Sequence, residues 1–503
     1  MKIKIDPVTR IEGHLSVTLD MADGKVSAAF CSGTMFRGFE MFLRGRDPLD
    51  AVQLTQRICG VCPVDHGVAA SLALEAALGV QLPPNGRRLR NLLLGASHIQ
   101  SHLLHFYQLS ALDFVDITAV LQYSGRDQRL QGVRDWVKAQ LPNKAVNPAA
   151  PFLPRYDGDY MTDVDLNLGA VDHYLQALQK HQLAQEMLSI FGGKMPHATA
   201  LVPGGVTARP TVDNVEAYRA RLQELRAFID TVYLPDVVAV AQAYPQHFQT
   251  GRGPASFLAY GAFPEDEGGR AKLLPGGAYL NGQVVPLDIS LIREETAATW
   301  LNTGPGLSPA RGQTTPQPDK TGAYSWVKAP RYDGEVMEVG PLARVLITHL
   351  SGANPALSTL LTNTLQQLNL SVSSLFSTLG RHLARAVECK VVADRCAAWL
   401  DELELDQPTV SASYQITAAG SGVGLTEAAR GALGHWLDIS NRAISHYECV
   451  VPTTWNCSPR DDRGQPGALE QALEGLVLAN QEQPIEAVRV VHAFDPCLAC
   501  AVH

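Results

Sequence analysis

Apolar and polar residues alternate with period two at the start of the chain, in KIKIDPV and again through HLSVTLDMADGKVSAAF. Asp23-Gly24 breaks the second run and predicts a hairpin turn between two strands. The period then lengthens. PVDHGVAASLALEAALG predicts a helix with Pro63 in its first position and Gly79 just past its end. RRLRNLLLGASHIQSHLLHFYQLSALDFVDI is apolar nearly all round, as a central buried helix would be. Further helices are expected over about 169–191, 212–245 and 355–402, and over GALEQALEGLVLAN. Residues 125–165 read as irregular, and 250–340, rich in Gly, Pro and Tyr, as a peripheral lobe of loops and short strands. TVSASYQITAAGSGVGLTEAARGALGHWLDIS reads as strand, loop and returning strand. The expected fold is mainly α with smaller β parts: a central buried helix bundle, an N-terminal β hairpin and the strand-rich lobe.

Composition narrows the class. With 503 residues, 46% of them hydrophobic and 18% charged, the chain can bury a large core. A net charge of −9 argues against a nucleic-acid partner. No stretch approaches the ~18 apolar residues of a membrane span. No signal-peptide pattern opens the chain, so export or membrane attachment is expected to come through a partner.

The nine cysteines carry the chemistry. An odd number in a chain of this size is not a disulfide framework. Cys31, Cys389, Cys396, Cys449 and Cys457 are expected to be buried soft hydrophobes. The other four form two Cys-x-x-Cys pairs, in RICGVCPVDHG and in the final DPCLACAVH, over four hundred residues apart. Cys59 and Cys62 precede a helix N-terminus, which favours thiolate. Asp495 reads as a cap and Pro496 as a first-turn residue that would aim Cys497 and Cys500 together. Joining the pairs costs about 5 kcal/mol in loop closure. A thiolate metal site can offset that, since structural zinc contributes about 10–16 kcal/mol in small peptides. Four soft donors select zinc, copper(I), iron or nickel. Structural zinc knuckles normally lie close together in sequence, so a catalytic centre built from both chain ends is the favoured reading and structural zinc the alternative. Length alone suggests about three domains, but a shared site would make 1–503 one unit, with motif regions at 1–120 and 427–503 and the peripheral lobe at about 250–340. His98, His102 and His105 share a helical face, but no carboxylate or thiol accompanies them in sequence, and they are read as structural.

Both Cys-x-x-Cys segments resemble signatures of the large, catalytic subunit of nickel–iron hydrogenases. RIEGH (10–14), SGTMFRGFE (32–40), HFYQLSALDFV (105–115), MEVGPLAR (337–344), EAARGALGHW (427–436) and VVPTTWNCSPRD (450–461) resemble the same family in the same order, so the likeness spans the chain. It implies that Cys59 and Cys497 are terminal nickel ligands and that Cys62 and Cys500 bridge nickel to an iron carrying carbon monoxide and cyanide. It implies proton relay by Glu12, a guanidinium from Arg430 over the centre with Asp495 nearby, and a hydrogen bond from His66 to a bridging sulfur. Glu40, His503 and the backbone carbonyl of Cys449 would hold a magnesium ion.

After the four ligands no cluster of cysteines remains that could hold iron–sulfur centres, which take about four each. The resemblance therefore implies an obligate heterodimer with an iron–sulfur small subunit, with a dimer of heterodimers open to it. Dihydrogen and protons are the implied substrates. Maturation machinery and a C-terminal endopeptidase are implied as partners, and an ending at His503 looks like the processed form. The motif forms lean toward the respiratory, membrane-associated uptake group and a periplasmic location, with a cytosolic cofactor-linked relative as the alternative. Ala429, Ser101 and Cys457 depart from the family's usual residues.

Overall fold

The computed structural model describes residues 1–141, 156–302, 304, 306–411 and 413–503. Its architecture is mixed α+β: long helices at the centre and small antiparallel sheets around them. The N-terminal sheet joins β1 (Lys2–Ile5), β2 (Leu15–Ala22) and β3 (Lys25–Gly33) in sequential order. The predicted hairpin turns at Asp23-Gly24, both with positive φ, and leaves Met21 opposite Val26 and Ala22 opposite Lys25.

Helix α1 (Pro63–Leu78) starts on the proline and ends on Gly79 in the left-handed conformation, as its local signals require. The buried helix α2 (Pro84–Leu104) continues into a single π-helical stretch at His105–Ser110. Against it pack α3 (Val164–Gly192) and α6 (Thr378–Asp401); α4 (Val212–Phe228) packs on both of these and α5 (Pro341–Ser351) on α6. A C-terminal sheet follows, of β4 (Ala419–Ala428), β5 (Gly431–Ser440) and β6 (Ala443–Val450) in that order. Helix α7 (Ile485–Ala493) precedes the tail. The main apolar core runs from Ile3 to Val502, and a second, smaller cluster gathers around Tyr260, Trp436 and Trp455. Among the described residues no helix is long and apolar enough to cross a membrane.

One packing detail sets the site. β4 carries glycine at 422 and 424, and a Cβ on either would lie about 2 Å from a carbonyl of α1, at Ala73 and Ala69 respectively. Alternate glycines on the strand and alanines four apart on the helix bring the two backbones into contact. The helix that follows Cys62 is thereby pressed onto the strand that leads to Arg430.

Several expectations are corrected. Residues 128–140, read as irregular, form a helix capped by Asp127, whose side chain accepts from Arg129 and Leu130 N–H groups; residues 142–155 of that stretch lie outside the described residues. Among the described residues of TVSASYQITAAGSGVGLTEAARGALGHWLDIS no strand precedes 419; β4 (Ala419–Ala428) occupies the middle of the stretch, where a loop is expected, and meets β5 through a tight turn at Ala429-Arg430. The 355–402 helix is broken between Gln367 and Thr378. GALEQALEGLVLAN is helical only over Ala468–Leu473, because the chain turns at Gly475 and Leu476 accepts a hydrogen bond from Val26 of β3.

Candidate metal centre

The chain ends meet. Glu12 and Cys497 form a parallel bridge, with Leu498 N–H donating to the Glu12 carbonyl at 2.7 Å and Glu12 N–H to the Pro496 carbonyl at 3.3 Å. Gly13 is needed here: its φ is +84°, and a Cβ would lie 2.5 Å from the Ala499 nitrogen. Arg37 fastens both cysteine segments. Its guanidinium donates to the carbonyls of Arg57, Ile58 and Ala499, and its backbone N–H to Val502 at 3.0 Å.

Across a separation of 438 residues, Cys59 Sγ lies 3.5 Å from Cys497 Sγ and Cys62 Sγ 3.3 Å from Cys500 Sγ. Cys497 and Cys500 are 3.1 Å apart, and all four sulfurs are buried within 4.8 Å of one another. A metal–sulfur distance of ~2.3 Å gives a shell about 4.6 Å across, so the cage has the right size. Hydrogen bonds from Cys497, Cys500 and Cys62 hold the Cys59 thiol well below its usual range, helped by Arg430. Burial pushes Cys497 and Cys500 up, and the hydrogen bond with Cys497 does so for Cys62. The cage by itself thus stabilises one thiolate; releasing the other protons calls for a multivalent cation.

Above it, Arg430 sits at the β4–β5 turn. Its Nε is 3.0 Å from Asp495 Oδ1, an ion pair whose angle makes no hydrogen bond, and Nη1 and Nη2 have no partner among the described residues although the side chain is buried. Such uncommitted donors fit a centre that presents acceptors beneath them. Asp495 is not the expected helix cap: it adopts φ 54°, and Cys497 caps the short Leu498–Ala501 turn. Glu12 is half-buried. Burial and the charge of Cys59 raise its pKa, against Arg430, Arg37 and His14. Its neighbour Arg10 is committed elsewhere, to Asp113 and the Leu109 carbonyl.

His66 Nε2 lies 3.4 Å from Cys500 Sγ, and burial lowers its pKa to about 4, which keeps the ring neutral. Its Nδ1 is 3.2 Å from His435 Nε2, whose own Nδ1 is 2.8 Å from the Tyr447 hydroxyl. The sequence reading missed both His435 and Tyr447.

At the tail, Glu40 Oε1 accepts from Cys449 N–H at 2.8 Å and meets His503 Nε2 and Lys328 Nζ, each at 2.9 Å. Lys328 also meets Glu448 at 2.6 Å and Glu294 at 3.0 Å, so three carboxylates face one ammonium. His503 Nδ1 donates to the Cys500 carbonyl at 2.5 Å and turns Nε2 toward Glu40, the usual arrangement of a metal-ligating histidine. The surplus negative charge and oxygen donors fit a hard divalent cation.

The histidine face is corrected too. Glu388 of α6 accompanies it, 2.9 Å from His102 Nε2 and 3.5 Å from His98 Nδ1. Arg344 grips both oxygens of that carboxylate, at 2.6 and 2.7 Å, which commits it to an ion pair. Arg344 also donates to Glu427 and to the Ala428 and Ala429 carbonyls, bracing the turn under Arg430.

A buried four-thiol cage beneath an unspent guanidinium defines a thiolate-ligated metalloenzyme. A family profile described as nickel-dependent hydrogenase matches residues 37–503, and one described as HoxL-like matches residues 2–32. The chain belongs to the nickel-dependent hydrogenase family, as a large, catalytic subunit. It is 40% identical to the periplasmic NiFeSe hydrogenase large subunit of Desulfomicrobium baculatum, covering 100% of this chain and 95% of that one. It is 38% identical to the uptake hydrogenase large subunit of Bradyrhizobium diazoefficiens, with the same coverage. The solved Ni-Fe-Se hydrogenase from D. vulgaris Hildenborough in the reduced state superposes with a TM-score of 0.90 at 42% identity, covering 100% of each chain. Selenium belongs to the names of the Desulfomicrobium and D. vulgaris relatives; here sulfur stands at all four cage positions.

Proposed function

We propose that this chain cleaves dihydrogen heterolytically, and forms it in reverse, as the catalytic half of a heterodimer that passes electrons to an iron–sulfur small subunit. The observation that carries this reading is the cage: four sulfurs from opposite chain ends within 4.8 Å of one another. When bound there, a nickel–iron pair with carbon monoxide and cyanide on the iron supplies the Lewis acidity and redox capacity for the H–H bond. Cys59, Cys62, Cys497 and Cys500 would hold it, Cys59 and Cys497 as terminal ligands of nickel and Cys62 and Cys500 shared with the iron.

The remaining roles belong to side chains. A nickel-bound thiolate would take up the proton and Glu12 would pass it on, a carboxyl whose pKa is raised by burial and by the charge of Cys59, the direction that suits proton exchange. Arg430, oriented by Asp495, holds its free donors over the centre, where a preorganised cation stabilises charge as the bond polarises. His66 hydrogen-bonds the Cys500 sulfur. Glu40, His503 and the backbone carbonyl of Cys449 would hold magnesium, and the His503–Cys500 hydrogen bond would couple that site to the cage.

Among the described residues Cys59, Cys62, Cys497 and Cys500 form the one cysteine cluster, so electrons leave through the partner's iron–sulfur centres. The partner also supports a periplasmic or membrane-associated location, as the name of the Desulfomicrobium relative suggests, with the cytoplasm as the alternative. Infrared spectroscopy with metal analysis of the purified protein tests the reading. Bands from metal-bound carbon monoxide and cyanide are expected; their absence from active, nickel-containing material, or zinc as the sole metal, overturns it.

A further inference from the structure

His66, which touches the Cys500 sulfur, begins a row of three buried polar side chains that ends on Tyr447. The contacts run from Cys500 Sγ to His66 Nε2 (3.4 Å), from His66 Nδ1 to His435 Nε2 (3.2 Å) and from His435 Nδ1 to the Tyr447 hydroxyl (2.8 Å). All three side chains are at most 1% exposed. They come from α1, β5 and β6. Tyr447 stands opposite Leu437, which places it diagonally across from His435 on one face of the sheet.

Each neutral imidazole carries one ring hydrogen, and which nitrogen holds it is set by the partners. Hydrogens can be counted along this row. Among the described residues the Tyr447 hydroxyl meets no other acceptor, so it donates to His435 Nδ1. That nitrogen is bare, and the His435 hydrogen therefore sits on Nε2 and points at His66 Nδ1. His66 Nδ1 is bare in turn, so its one hydrogen is on Nε2, facing Cys500. The other end requires the same direction, because a thiolate that holds a metal has no hydrogen to give. Two independent termini thus select one of the two ways the row could be polarised.

We propose that His435 and Tyr447 are positioning residues that fix the tautomer of His66, so that the Cys500 sulfur always meets an N–H and never a bare ring nitrogen. The proposal rests on the reading of Cys500 as a ligand of the nickel–iron centre. An N–H directed at a thiolate draws electron density from the sulfur and makes it a weaker donor, which is how outer partners tune a metal site. Without the row, His66 Nδ1 is a buried acceptor with no donor, and the ring is free to take its other tautomer.

The test uses the holoenzyme with His435→Phe, His435→Gln and Tyr447→Phe, each matched to the parent in nickel and iron content. Infrared bands of carbon monoxide and cyanide report electron density at the metals, and the direction of their shift, with its return in the conservative variant, is what a merely structural role would not produce. In His435→Phe the bands are expected at lower wavenumber than in the parent, because the sulfur recovers density. In His435→Gln, whose amide can donate to His66 Nδ1, they return toward the parent position. Tyr447→Phe shifts them the same way as His435→Phe, by less. Parent-like bands in His435→Phe, or a Gln variant displaced as far as Phe, overturn the proposal. If His435→Phe fails to assemble its centre, Tyr447→Phe, which loses one oxygen, decides: a downward shift supports the tautomer lock and unchanged bands overturn it. A parent that lacks the bands altogether fails the functional reading instead, so the two failures are told apart.

Discussion

Asp65 lies on α1, one residue before His66, and its side chain is fully buried. Oδ2 accepts from Ser97 Oγ at 3.3 Å, while Oδ1 has no partner among the described residues. Burial drives its pKa from 3.8 to about 7, against the pull of His98 and Arg430 and with a push from Cys59. Between those two pH values the native state keeps a proton that the unfolded chain has already released. Stability therefore falls as pH rises, by about 1.4 kcal/mol per unit and about 4 kcal/mol in all. The loss is absent below the unfolded pKa and complete above about 7. Asp65→Asn keeps the shape and removes the titration. At about 2.1 cal/mol/K per residue, the unfolding entropy is roughly 1 kcal/mol/K, so the variant is expected to melt about 4 °C above the parent at neutral pH. Near pH 4 the two should melt with no such gap. Other buried carboxyls with raised pKa values, such as Glu470, titrate in both proteins and cancel. Scanning calorimetry of parent and variant at matched metal content, stepped through this pH range, measures the gap. A difference that is independent of pH, or that narrows toward neutrality, refutes the assignment of a buried protonated carboxyl.

Three further outcomes are expected. Glu12→Gln leaves the backbone bridge to Cys497 intact but removes the proton carrier, so turnover in both directions drops about 10²–10⁴-fold at unchanged nickel content; a loss under about tenfold counts against the relay. Arg430→Lys keeps a cation beside Asp495 but withdraws the two free guanidinium donors, and dye-coupled hydrogen oxidation slows by roughly 10²–10³-fold; parent-like rates would remove Arg430 from the chemistry. Glu40→Gln removes one partner from a buried ion-pair cluster, at a cost of about 3–5 kcal/mol, and frees the tail that His503 anchors. Mass spectrometry after carboxypeptidase treatment should then find the last residues trimmed, and resistance equal to the parent's contradicts the anchoring role.

What the sequence reveals divides by range. Helix α1 is readable because its punctuation is local: proline in the first turn, glycine one step past the last. The meeting of the chain ends is readable because two unusual thiol pairs have no other use for each other. Partners hundreds of residues apart are not. Glu388 lies 286 positions from His102 inside an unremarkable helical run, and no local pattern announces that its carboxylate is shared between Arg344 and the histidine face. His435 and Tyr447 sit in strands whose ends toward the core are buried on both faces, which erases the period-two signal that would show where each side chain points. Asp495 shows local preference losing to a distant partner: a residue suited to capping adopts a positive φ to face Arg430.

The energetics of closure then assign the order of assembly. Bringing the two thiol pairs together costs about 5 kcal/mol of loop entropy. The polypeptide offsets this without metal. Glu12 pairs with Pro496 and Leu498, Arg37 with Val502, Val26 with Leu476 and Gly475, and Cys31 N–H with the Glu470 carboxylate. At about 1 kcal/mol net apiece, these bonds are of the size required, before the apolar contacts of β3 with the Ala468–Leu473 helix are considered. The cage is therefore a property of the fold, with its sulfur spacing fixed by backbone pairing and by the α1–β4 contact. The metals' binding energy is left free to act on the thiols, displacing the protons that burial retains. It follows that the metal-free chain should be folded but more protonated at its cage. Zinc titration of metal-free protein should release protons without a large change in far-ultraviolet circular dichroism, and a gain of helix on metal addition would show instead that the metals, not the chain ends, close the loop.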